Sequence, residues 1–69
     1  MTDRERVGQR IKELRQQCCL STYQLAELTG LKQPNIIRIE SGNYSTGIDI
    51  LSKIADALNC EVDFVMKSS

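Results

Sequence analysis

A chain of 69 residues has room for one small domain. It carries nine basic and nine acidic residues and has neither histidine nor tryptophan. This inventory offers no metal-ligand cluster, no glycine-rich phosphate loop and no base-activated nucleophile, so we expect no enzyme and no metal or cofactor site.

The charges are unevenly distributed along the chain. Residues 1–15 hold five basic and three acidic residues, whereas residues 49–69 hold two basic and four acidic ones. One end of the domain could therefore face phosphate, although an ordinary solvated surface explains the same pattern more simply.

The three cysteines form no CxxC motif and no even framework, which favours reduced thiols in the cytoplasm. We interpret Cys18 and Cys60 as small buried apolar residues rather than as a redox sensor. No apolar run is long enough for a signal peptide or a membrane span.

In chain order, the first predicted helix carries an apolar stripe at spacings of four, three and four, formed by Val7, Ile11, Leu14 and Cys18. The second begins at Ser21, which forms a capping-box pattern with Gln24, and ends at Gly30. Leu25, Ala26 and Leu28 follow in this helix, and we expect Leu25 and Leu28 to share its buried face.

The third predicted helix follows after only about three residues, and such a tight connection forces a steep helix crossing. Lys32 is a poor N-cap, but Pro34 is typical of a first helical turn. Ile36 and Ile39 share one face, and Gly42 ends the helix.

A polar loop over residues 43–47 precedes the fourth predicted helix. That helix has apolar residues at helical spacing and a plausible left-handed end at Asn59. Its apolar residues are Leu51, Ile54, Ala55 and Leu58. The short apolar segment from Val62 to Met66 predicts a fifth helix, which would need packing to hold it.

The segment LSTYQLAELTGLKQPNIIRIESG, residues 20–42, resembles the helix-turn-helix of the phage-repressor and Cro-like transcription regulators. The flanking segments RIKELR (10–15) and IDILSKIADALNCEVDFV (48–65) resemble the first helix and the last two helices of that family. The resemblance implies a compact all-α five-helix bundle of the lambda-repressor type, with residues 1–69 as one DNA-binding domain.

In such a domain the third helix enters the major groove. The resemblance implies that the base-reading positions are Gln33, Pro34, Ile37 and Arg38. Gln33 could make a two-point contact with adenine, and Arg38 could reach either guanine or a phosphate. Pro34 could at most touch a thymine methyl. Ile37 could pack on such a methyl group or be an incidental surface residue.

Phosphate contacts are expected at the second helix N-terminus, beside the reading residues and in the following loop. The residues are Thr22, Tyr23, Lys32, Asn35, Asn43, Tyr44 and Ser45. In the family this loop often carries Lys or Arg, whereas here it is uncharged, which predicts weak non-specific binding and a shallow salt dependence.

Two further contacts follow from the resemblance. Arg15 and Glu40 would form a partly buried ion pair between the first and third helices, the alternative being two solvated charges. Phe64, Val65 and Met66 are candidates for a homodimer contact, although Phe64 could instead cap the core. The expected partner is double-stranded DNA. The alternative is an antitoxin-like module that binds a protein, with DNA binding secondary.

Overall fold

The computed structural model describes residues 1–67, in which the chain forms four α-helices and no strand. The helices are α1 (Asp3–Gln17), α2 (Thr22–Thr29), α3 (Gln33–Ser41) and α4 (Ile48–Ala57). The all-α prediction and the first four helices are confirmed. None of these helices is long and apolar enough to cross a membrane.

The predicted fifth helix is wrong, because residues 60–67 form neither helix nor strand. Phe64, Val65 and Met66 are almost fully exposed, at 100%, 88% and 93% of their accessible surface. A helix of one or two turns needs tertiary packing to offset its nucleation cost, and within residues 1–67 these side chains have almost none. The same exposure removes Phe64 as a cap on the core.

The ends of α2 and α3 match their sequence signals. Ser21 Oγ accepts a hydrogen bond from the Gln24 N–H at 3.1 Å, and Gln24 Oε1 accepts one from the Ser21 N–H at 2.8 Å. Gly30 and Gly42 end the two helices with φ of 73° and 80°, where a side chain would be strained. Lys32 is the N-cap of α3 without a side-chain hydrogen bond, as expected from its residue type.

The core lies where α1 packs on α3, and where α2 packs on both α3 and α4. Its buried hydrophobic residues are Ile11, Leu25, Ala26, Ile36, Ile39, Ile54 and Leu58. All but Ala26 were expected from helical spacing.

Two expectations about buried positions are wrong. Leu28 is 61% exposed, because Leu25, Ala26 and Thr29 form the buried face of α2 and Leu28 lies outside that face. Cys18 is exposed, because α1 ends at Gln17 and the stripe does not continue past the helix. Cys60 is half-buried and packs against the core.

Candidate nucleic-acid interface

The turn between α2 and α3 consists of Gly30, Leu31 and Lys32. The Leu31 N–H donates to the Ala26 carbonyl at 3.1 Å, which closes the end of α2. Ala26 is only 5% exposed and belongs to the core, so a larger side chain there would overpack it. α2 and α3 pack against each other across this short turn.

The inner face of α3 is buried through Ile36 and Ile39, which are 1% and 4% exposed. The opposite face is free within the described part of the chain. Pro34 and Arg38 are exposed one turn apart, and Ile37 is 49% exposed beside them. The structure therefore presents three of the four predicted reading residues on one open helix face.

Gln33, the fourth, is half-buried at the first position of α3. Its side-chain amide Nε2 donates a hydrogen bond to Thr22 Oγ1 at 3.1 Å. A glutamine amide has two N–H groups and a carbonyl oxygen, so one N–H and the oxygen remain available for another partner. That remaining pair is the one that a two-point contact with adenine requires.

Thr22 and Tyr23 occupy the first two positions of α2, where backbone N–H groups have no partner within the helix. The capping box uses the Gln24 and Ser21 N–H groups, and nothing in residues 1–67 accepts from those of Thr22 and Tyr23. Two free N–H groups at the positive end of a helix suit an anion such as phosphate.

The other predicted phosphate contacts lie at the start of α3 and in the loop that follows it. Lys32 is exposed at the N-cap of α3 and Asn35 is half-buried in its first turn. The loop after α3 exposes Asn43, Tyr44 and Ser45 and contains no charged residue.

The exposed charges of the helix-turn-helix and its loop are few. Between residues 21 and 46 they are Lys32 and Arg38, which are basic, and Glu27, which is acidic. Glu40, the only carboxylate of α3, is paired with Arg15. No carboxylate therefore shares the open face of α3 with Pro34, Ile37 and Arg38.

The predicted Arg15–Glu40 ion pair is present and is nearly buried, with side-chain exposures of 11% and 7%. Arg15 Nε donates to Glu40 Oε2 at 2.6 Å, and Arg15 Nη2 donates to Glu40 Oε1 at 3.0 Å. Its remaining nitrogen, Nη1, donates to the Leu20 carbonyl at 2.8 Å. One guanidinium thus joins the end of α1, the end of α3 and the chain that enters α2.

Hydrogen bonding to Glu40 raises the pKa of Arg15 above its ordinary value, and burial opposes this only in part. Arg15 therefore stays charged at every pH at which the protein would be studied.

Gly8, a buried residue in the middle of α1, was not anticipated from the sequence. A Cβ atom at this position would overlap the carbonyl oxygen of Ile39 and would lie 2.8 Å from that of Glu40. The glycine lets α1 approach the backbone of α3 directly. An isolated glycine inside a helical pattern was the available signal.

The family model described as Helix-turn-helix matches residues 11–65 of the chain. The immunity repressor protein of Bacillus phage phi105 is 35% identical over 60 residues, which cover 87% of this chain and 42% of that protein. The chain thus spans less than half the length of this curated relative.

Two solved structures extend the comparison. The restriction-modification controller protein C.AhdI from Aeromonas hydrophila superposes with a TM-score of 0.83 at 36% identity, covering 86% of this chain and 89% of that one. A chain of the SinR protein–SinI protein complex superposes with a TM-score of 0.76 at 30% identity, covering 80% and 54%.

Proposed function

This chain belongs to the helix-turn-helix family of DNA-binding transcription regulators, and from that premise we propose that it is a sequence-specific repressor. It would act in the cytoplasm as a homodimer and place α3 in the major groove of a palindromic operator. The observation that carries the proposal is the open outer face of α3, which stands beside the two free N–H groups of α2.

In this proposal base recognition begins at the first turn of α3. Gln33, already held by Thr22, presents its amide edge to adenine, while Arg38 reaches guanine or a phosphate one turn further on. Pro34 and Ile37 offer only apolar contact, which suits thymine methyl groups. Base recognition would thus use two polar side chains, Gln33 and Arg38, and the apolar surface of Pro34 and Ile37.

Phosphate binding in this proposal relies on neutral donors more than on charge. The α2 N-terminus supplies the Thr22 and Tyr23 N–H groups, and Lys32 supplies a cation. The remaining contacts come from polar side chains at Asn35, Asn43, Tyr44 and Ser45.

Selection of bound sites from a random DNA pool tests the proposal. We expect a palindrome whose half-sites are separated by about 34 Å, one helical turn. In binding titrations Gln33→Ala and Arg38→Ala should each relax preference at one position per half-site, at about 1–3 kcal/mol. Lys53→Ala, which removes an exposed cation from α4, is the matched control and should leave preference unchanged. Absence of any enriched sequence would refute the proposal.

A second candidate function is binding of a protein partner, with DNA binding secondary. The zero net charge, the uncharged loop after α3 and the likeness to a chain of the SinR–SinI complex favour it. If Gln33→Ala and Arg38→Ala left DNA binding unchanged and a defined protein co-purified with the chain, this second function would replace the first.

A further inference from the structure

The middle of the outer face of α3 is apolar. Ile37 is 49% exposed, and Pro34, three residues earlier, is exposed as well, so the two side chains are neighbours one helical turn apart. The polar residues Gln33 and Arg38 flank this pair on the same helix. Neither Ile37 nor Pro34 has a side-chain hydrogen-bond donor or acceptor, so a base edge can meet them only through apolar contact.

The polar neighbours of Ile37 do not change the character of this surface. Ser41 is exposed four residues after Ile37, and its hydroxyl donates a hydrogen bond to the Arg38 carbonyl at 2.9 Å. Its proton is therefore used within α3. The only carboxylate of α3, Glu40, is held by Arg15. An uncharged apolar surface of this kind gains free energy only when another apolar group covers it.

The position of Ile37 is fixed by the residues behind it. Ile36 and Ile39 are 1% and 4% exposed, and the Arg15–Glu40 pair holds the last turn of α3 on α1. A β-branched side chain in a helix has one strongly preferred χ1 rotamer, so Ile37 has little freedom of its own. A side chain held in this way cannot follow a base whose surface recedes when a methyl group is missing.

We infer that Ile37, together with Pro34, recognises the C5 methyl group of a pyrimidine, so that operator affinity depends on methylation at that position. This inference rests on the proposed function, which places α3 in the major groove. Thymine presents a C5 methyl group there, and cytosine presents one only when it is methylated. Because Ile37 has no hydrogen-bonding group, it cannot distinguish the O4 acceptor of thymine from the N4 donor of cytosine and recognises the methyl group alone.

Removal of single methyl groups from the operator tests the contact. The probe is the duplex selected from random DNA for the proposed function, with deoxyuridine in place of thymidine at one position at a time. Each replacement removes a methyl group and keeps every hydrogen-bonding group of the base. We expect weaker binding at one position of each half-site, by about fourfold for one half-site and about 15-fold for both. At that position 5-methylcytosine should bind more tightly than cytosine by the same factor.

Ile37→Ala assigns the methyl preference to one side chain. The position lies outside the core and alanine favours a helix, so circular dichroism and melting temperature should match those of the parent. Thymine and uracil should then bind equally at the sensitive position. Leu28→Ala is the matched control, because it removes an apolar side chain that is 61% exposed and lies beside Lys53 and Asp56 of α4. This control should keep the full preference for the methyl group.

Three outcomes would overturn the inference alone: an operator at which no change from thymine to uracil matters, equal binding of cytosine and 5-methylcytosine at the sensitive position, or a methyl preference that Ile37→Ala retains. In each case the proposed function stands, because sequence-selective binding through Gln33 and Arg38 is measured separately. A random pool that yields no enriched sequence would instead remove the proposed function and this inference together.

Discussion

At the scale of single residues, the Arg15–Glu40 pair has the largest consequence for the interface. Both side chains are nearly buried, and every guanidinium nitrogen has an acceptor. A pair of this kind contributes little net stability over an apolar replacement, but removing one partner leaves a buried charge. Its effect is to hold the end of α3 at one place on α1.

Glu40→Gln is expected to lower the free energy of unfolding by about 2–3 kcal/mol, because Arg15 would remain charged and poorly compensated. Urea denaturation measures the change. Glu13→Gln is the matched control, since Glu13 pairs with Arg10 at 3.1 Å on an exposed surface and should change stability by about 0.5 kcal/mol or less. Equal effects for the two variants would contradict the role given to the buried pair.

The pH dependence of this contribution follows from the raised pKa of Arg15. A group whose pKa is raised by folding stabilises the protein below its unfolded pKa and loses that effect only above its folded pKa. For Arg15 both values lie at strongly alkaline pH, so protonation of Arg15 adds no pH dependence to stability near neutrality.

Thr22 is expected to position Gln33 for base reading. Thr22→Val keeps the side-chain shape but removes the acceptor of the Gln33 amide, so the preference for adenine should fall by about 1 kcal/mol, a factor of about five. Competition titrations against all four bases at that position measure it. Thr22→Ser keeps the hydroxyl and should retain the preference. A uniform loss of affinity for all four sequences would instead indicate that Thr22 only binds phosphate.

At the scale of the elements, helix ends decide the geometry more than helix propensity does. α2 has eight residues and α3 has nine, lengths at which an isolated helix is unstable in water. Each is bounded by a left-handed glycine, and α2 also has a capping box. Caps therefore fix where each helix stops, whereas packing against the neighbouring helices decides which side chains face outward.

Gly8→Ala tests the close approach of α1 and α3. Alanine is favoured over glycine in a helix by about 1 kcal/mol, which acts in the variant's favour. The added methyl would overlap the Ile39 carbonyl, which is backbone and cannot rotate away, so we expect a net loss of about 2 kcal/mol or more. Thermal unfolding followed by circular dichroism measures it.

Gly47→Ala is the control for that substitution. No atom lies within 4 Å of the added Cβ, and Gly47 has an ordinary negative φ of −76° as the N-cap of α4. Its cost should stay below about 1 kcal/mol. If Gly8→Ala were as mild as this control, the direct contact between the two helices would not matter for stability.

At the scale of the whole molecule, zero net charge limits how the domain can bind DNA. Only Lys32 and Arg38 offer exposed positive charge on the proposed interface. Most non-specific affinity for DNA comes from release of counterions by basic side chains. A chain with two such side chains depends on neutral N–H donors and base contacts for its affinity.

The salt dependence of binding measures this directly. For a dimer with four interface cations, the slope of log K against log salt concentration should be about −4 or shallower. Ser45→Lys places one cation in each loop and should steepen the slope by about 2 units per dimer. Ser52→Lys adds the same charge at an exposed position of α4 and is the control. A parent slope much steeper than this would show that other basic residues contact DNA.

The sequence by itself determined the local features of this protein. Apolar spacing located the four helices, and Ser21, Gly30 and Gly42 marked their ends, because periodicity and capping depend on residues a few positions apart. Together with the family resemblance, that was enough to predict the Arg15–Glu40 contact and the open face of α3.

The tertiary structure decided the features that depend on contacts between residues far apart in the sequence. The short final segment is apolar, but nothing in residues 1–67 covers Phe64, so no helix forms there. The exposure of Leu28, the need for Gly8 and the bond from Gln33 to Thr22 likewise depend on how neighbouring helices pack. Periodicity cannot specify that packing, because it describes one helix at a time.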